Sequence, residues 1–150
     1  MRYKHTQTAP LTLILSCVGM AILIGARQVQ DPLTNICLML IAGLVFVLAL
    51  SFGKLTVRDE DDHLLVRFGP LPLFRRRIAY AEILDVQRGR TTILDGWGIH
   101  LSPSGGWTWN LWGFDCVDVY FKKGRKVRIG TDEPKRLEAF LKDRIGANTR

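Results

Sequence analysis

Two apolar blocks, Leu11 to Ala26 and Leu33 to Phe52, come before any regular alternation along the chain, separated only by Arg27-Gln28-Val29-Gln30-Asp31-Pro32. Neither block carries the polar face of a helix that lies on a soluble core. The second has 20 residues and reaches roughly 30 Å at about 1.5 Å per residue, the thickness of bilayer hydrocarbon. The first has 16 residues and reaches about 24 Å, so Ala9, Pro10 and headgroup-seeking Lys4 and Arg27 are needed at its ends. Asp31 before Pro32 is a good helix start, because the carboxylate accepts from free amides and proline has none to satisfy. The pattern predicts a transmembrane hairpin with helices over about 10–26 and 33–53. Cys17, Ala21 and Gly25 recur at spacing four on the first helix, a stripe that would admit a close helix neighbour, the second helix being nearest. A cleaved leader is not expected, since Ile24 stands where a small residue is required and another apolar block follows.

From Lys54 onward the period becomes two. Leu55 and Val57 alternate with polar neighbours, Asp61-Asp62 turns, and Leu64, Val66 and Phe68 line a return strand. Gly69-Pro70-Leu71-Pro72 breaks that hairpin, and Arg76 to Ile78 and Ile83 to Arg88 read as further strands. Val117, Val119 and Phe121 lead through Lys122-Lys123-Gly124-Arg125 into Lys126 to Ile129, a second hairpin in which Asp118 faces Lys126 or Arg128 as an exposed pair. Thr131 or Asp132 caps a final helix whose Leu137, Phe140, Leu141 and Ile145 form one apolar stripe. The expectation is a membrane α-helical hairpin (1–53) followed by an α+β domain (54–150), in which a bent antiparallel sheet or open barrel is capped by the C-terminal helix.

Charge sets the orientation. Setting Arg2, Lys4 and Arg27 aside from the 21 bases, and Asp31 from the 14 acids, leaves a formal +5 after residue 53. Bases flank both ends of the hairpin while its loop holds only Arg27, so both termini are expected in the cytoplasm, with the loop outside. A basic domain at that leaflet is drawn to anionic lipid. Nucleic acid is not the expected partner, because the bases are interspersed with acids and no recognition motif organises them.

Gly96-Trp97-Gly98-Ile99-His100, Gly113-Phe114-Asp115-Cys116-Val117, the Gly124-Arg125 turn and Ile129-Gly130-Thr131-Asp132-Glu133-Pro134 before an amphipathic helix, in that order, resemble the bacterial pleckstrin-homology-like domains of small membrane proteins. The resemblance covers residues 54 to 145. It implies a seven-stranded, strongly bent antiparallel sheet with a C-terminal helix over one end, often behind a helical hairpin. It implies little about activity, a few such proteins being linked to the assembly of membrane complexes.

Two clusters are candidate contact sites. In the triplet Arg75-Arg76-Arg77, alternation puts Arg75 and Arg77 on one side of a strand, with Arg67 as a possible neighbour; two or three guanidinium groups suit one phosphate. The competing reading is a solvated edge that blocks strand pairing. All four tryptophans, Trp97, Trp107, Trp109 and Trp112, fall within sixteen residues. Trp107, Trp109 and Leu111 are expected to share a face and fill the core, while Trp97 or Trp112 would project toward a membrane interface or partner. His5, His63 and His100 are scattered and the three cysteines lack metal spacing, so neither a metal, a cofactor nor an enzyme activity is expected. The acids Asp59 to Asp62 are expected to form a solvated turn.

The sequence therefore predicts a bacterial inner-membrane, multi-pass accessory or assembly subunit, with an integral-membrane protein or a second copy as partner. The alternative is a binder of anionic headgroups through the basic cluster.

Overall fold

The computed structural model describes residues 2–71, 73–92, 95–102 and 105–148. Among the described residues it has three α-helices and nine strands in two sheets, an α+β arrangement. Helix α1 (Leu11–Ala26) and helix α2 (Pro32–Ser51) follow the two apolar blocks almost residue for residue. The amide of Thr34 donates to Asp31 Oδ2 at 2.8 Å, so Asp31 caps α2 as its position before Pro32 predicts.

The two helices run antiparallel. A Cβ on Gly19 would sit 3.1 Å from the Phe46 ring, and Asn35 Nδ2 donates to the Ala26 carbonyl at 2.7 Å. Thr12, Gly19 and Ala26 thus lie along the seam at seven-residue spacing, matched on α2 by Asn35, Ala42 and Ala49, the repeat of two helices that wrap each other. Cys17, Ala21 and Gly25 are exposed and face away from α2, which corrects the expected packing stripe. Seven residues return to nearly the same side of a helix, whereas four overshoot by about 40°, so the spacing-four stripe and the seam diverge.

The first sheet has the order β1-β2-β3-β4, all antiparallel: β1 (Lys4–Thr8), β2 (Lys54–Glu60), β3 (His63–Gly69) and β4 (Arg75–Ala79). Strand β1 has no counterpart in the predicted elements. It lies before the helices, yet pairs with the strand after them, Thr8 opposite Lys54 and Lys4 opposite Arg58. Pro72, part of the expected breaker after β3, lies outside the described residues.

A short 3-10 turn at Tyr80–Glu82 leads into the second sheet, ordered β5-β8-β9-β7-β6. Its strands are β5 (Ile83–Arg90), β6 (Gly98–Leu101), β7 (Trp107–Asn110), β8 (Asp115–Phe121) and β9 (Lys126–Gly130). Strands β7 and β9 are parallel; the other neighbours are antiparallel. The strands form neither one bent antiparallel sheet nor a closed barrel, because β4 ends at the 3-10 turn and β5 pairs with β8 instead.

Leu55, Val57, Leu64, Val66, Phe68 and Ile78 from the first sheet meet Val86, Val117, Val119, Val127 and Ile129 from the second in one buried core. Helix α3 (Pro134–Asn148) closes it with Leu137 and Leu141, and Phe140 and Ile145 pack at the margin, as the apolar stripe predicts. The Thr131 hydroxyl accepts from the Glu133 amide at 3.1 Å just before the helix.

Candidate functional site

The junction of helices and sheets organises the candidate surfaces. Phe52, which follows α2, packs on Phe68 with ring centroids 4.9 Å apart and on Phe74 at 5.2 Å. Beside it, a Cβ on Gly98 would lie 3.8 Å from the Phe52 ring. Gln7 Nε2 donates to the Trp112 carbonyl at 3.0 Å, and Trp97 stacks on Trp112 with centroids 4.3 Å apart. The helix end of the sheets therefore carries an aromatic rim on which Trp97 remains 46% exposed.

The other tryptophans separate. Trp109 is buried against Phe68, with centroids 5.9 Å apart, and Leu111 is fully buried. Trp107 is 49% exposed, contrary to its expected place in the core. It shares a side with Trp109, but its strand pair, Leu101, is also exposed at the end of the sheet, so the core stops short of it.

Register divides the arginine triplet in the manner alternation requires. Arg75 pairs with Arg67, and Arg77 pairs with Leu65, so these three arginines share the solvent face of the first sheet. Across it runs a row Lys4, Arg58, Leu65, Arg77, in which Leu65 is 9% exposed. Arg76 points the opposite way, on the same side of β4 as buried Ile78.

On that side Arg76 meets the β8–β9 turn. A groove of about 650 Å³ is bounded by Arg76, Trp107, Tyr120, Arg125 and Lys126, and a pocket of about 260 Å³ adjoins it between Arg76, Glu82, Lys122 and Arg125. Burial, and then the Arg125 guanidinium, lowers Arg76 from the usual arginine range. Among the described residues Arg76, Arg125, Lys122 and Lys123 have no ion pair with a carboxylate. Arg125 and the two turn lysines were not singled out in the sequence, although a Lys-Lys-Gly-Arg turn is a legible cationic loop.

The acids have structural work. Asp59 is buried, accepting from the Tyr80 hydroxyl at 2.7 Å and pairing with Arg144 of α3, so only Asp61 and Asp62 form the expected solvated turn. Burial, aided by the Asp59 carboxylate, drives the Tyr80 hydroxyl's pKa well above the ordinary tyrosine range. Asp118 is not part of an exposed pair: it and Arg128 are each 6% exposed. Asp95, bonded to the Ser102 hydroxyl and the Thr92 amide, is pulled down to about 2 and lies 3.7 Å from Arg128. Cys116 is a buried free thiol pushed up to about 12 by burial and then by Asp118. A thiol so raised is a poor nucleophile at neutral pH.

The structure thus brings Arg67, Arg75 and Arg77 together, sets Arg76 apart with Arg125, and places Trp97 and Trp112 beside the helix end. No protein-family model matches the chain, and neither does any curated protein sequence.

Proposed function

We propose that this is a non-catalytic binding module of a bacterial inner membrane, acting as an accessory or assembly subunit of a larger membrane complex. In this reading α1 and α2 cross the bilayer as a hairpin with both termini cytoplasmic, and residues 54–150, with β1 added at the edge of their first sheet, form a pleckstrin-homology-like domain. Helix α2 is 20 residues long and apolar enough to cross; α1 is apolar but has 16 residues. The antiparallel pair puts both helix ends that adjoin β1 and β2 on one side, which agrees with the basic flanks.

The observation that carries the reading is the fusion of the helix pair to the sheet. The strands that enter and leave the pair are hydrogen-bonded neighbours, so the domain is fixed to the helices along a whole edge strand rather than hung on a linker. Such a unit holds a position between partners, which a plain anchor does not require. Exposed side chains over α1 and α2, such as Leu13, Leu33 and Leu40, leave room for lipid or another helix.

Gentle detergent extraction followed by a native mass measurement tests it. A stable assembly larger than the chain, disrupted by Ala21→Leu on the outer side of α1, is the expected outcome. Migration as a lone monomer overturns the reading.

A second reading, capture of an anionic headgroup, is favoured by Arg76 and Arg125, which converge beside Glu82 without an ion pair to a carboxylate among the described residues. An anion between them relieves their mutual repulsion and supplies charge-assisted hydrogen bonds. Binding of the full chain in nanodiscs to anionic lipid vesicles that weakens with salt and is lost in Arg76→Gln/Arg125→Gln supports it. Equal association with neutral vesicles overturns it.

A further inference from the structure

We infer that the turn between β3 and β4 is a third membrane contact, which sets Leu71 and Leu73 into the boundary between headgroups and acyl chains. This inference rests on the proposed crossing of the bilayer by α2.

The register fixes the height of the turn. Gly69, the last residue of β3, pairs with Lys54, the first of β2, and β3 runs toward the helices. The chain beyond Gly69 therefore turns at the level at which α2 ends, where a Cβ on Gly53 would lie 3.5 Å from the Gly69 carbonyl oxygen. It returns through Phe74, whose ring stacks on Phe52 directly after α2 and whose carbonyl accepts from the Phe68 amide at 2.9 Å. The Leu73 amide donates to the Leu71 carbonyl at 2.9 Å, so both leucines are held in one tight turn at that level.

The turn's side chains suit that level. Leu71 is 38% and Leu73 59% exposed, whereas Leu55, Val57, Leu64, Val66, Phe68 and Ile78 of this sheet are buried in the core. The charged residues that the register sets at this end of the first sheet are Lys54, Arg67 and Arg75, all basic. The acidic end of the sheet, Glu60, Asp61 and Asp62, is at the opposite end of β2 and β3, about 20 Å away at the rise of a strand. An apolar tip in a basic collar, with the acids turned away, is complementary to an anionic leaflet. A protein partner would have to meet this tip at the level of the helix end, where lipid already surrounds α2.

The test uses the full chain with Cys17, Cys37 and Cys116 replaced by alanine, reconstituted in vesicles of phosphatidylglycerol and phosphatidylethanolamine. A single cysteine carrying an NBD fluorophore is placed at Leu73, at Leu44 in α2 as the bilayer reference, or at Lys123 as the aqueous reference. Nitroxide lipids are expected to quench the Leu44 and Leu73 probes and spare Lys123, and dithionite should reduce the Leu73 probe about tenfold more slowly than the Lys123 probe. A quenched Leu44 probe beside a water-exposed Leu73 probe overturns this inference and leaves the membrane reading standing. An unquenched Leu44 probe overturns both.

Discussion

Arg128 grips Asp118 through two hydrogen bonds, Nε to Oδ1 at 2.7 Å and Nη2 to Oδ2 at 3.2 Å, on a pair of strands where both residues are buried. Removing one partner of a buried pair strands the other charge, so Arg128→Met should destabilise the fold by about 3–5 kcal/mol. Asp118→Leu added to it should recover a large part of that loss, with Asp95 bearing the remainder. Denaturant unfolding of the two variants checks this; equal stability of the single and double variants refutes the coupling.

Stability should depend on pH at both extremes. The Asp95 pKa is lower in the fold than in the unfolded chain, so its contribution is present above about pH 4 and is lost as the pH falls toward about 2. The Cys116 pKa is raised, so its contribution is present below about pH 8.5 and is lost as the pH rises toward about 12. Tyr3, raised to about 12 chiefly by burial, steepens the alkaline loss above about pH 10. Unfolding curves across pH should show Asp95→Asn flattening the acid limb and Cys116→Ala the first part of the alkaline limb.

The helix seam has little room at Gly19. A leucine there meets the Phe46 ring and should weaken the α1–α2 pairing by about 1–3 kcal/mol, and Phe46→Ala should restore part of it. Ala21→Leu, on the exposed side, should leave the pairing unchanged. Cysteine crosslinking between the helices in detergent distinguishes the three variants.

Gly105 and Gly106 separate two costs that glycine avoids. Both have positive φ, 86° and 87°, but only at Gly106 would a Cβ run into backbone, 2.4 Å from the Lys126 carbonyl oxygen. Gly105→Ala should cost about 1–2 kcal/mol for its conformation. Gly106→Ala should cost more, since the β9 backbone must move as well. Thermal unfolding of the pair gives the difference.

Where one physical signal dominates, the sequence reveals the structure. The β2–β3 and β8–β9 hairpins show alternation and polar turns, and α3 shows an apolar stripe, so each lies where it is predicted. Strand β1 reads Lys4-His5-Thr6-Gln7-Thr8, with no apolar alternation; its place comes from the free edge of β2 and from His5, which reaches Asp132 at the start of α3. Trp107 is misjudged because strand alternation assigns a side but not how far the core extends along it. Arg76 is separable from its neighbours by alternation, but its companion Arg125 is 49 positions away, and no local pattern joins them.

The pairing of β1 with β2 encloses the helices within what is otherwise a β-hairpin. Strand β1 cannot take its place beside β2 until residues 11–51 have formed and brought the two strands to one side. Under the proposed membrane reading, an N-terminus stranded across the bilayer would leave β2 with an open edge, the feature that recruits other chains into aggregates. On that reading, completion of the first sheet reports that the helices have inserted in the proposed orientation.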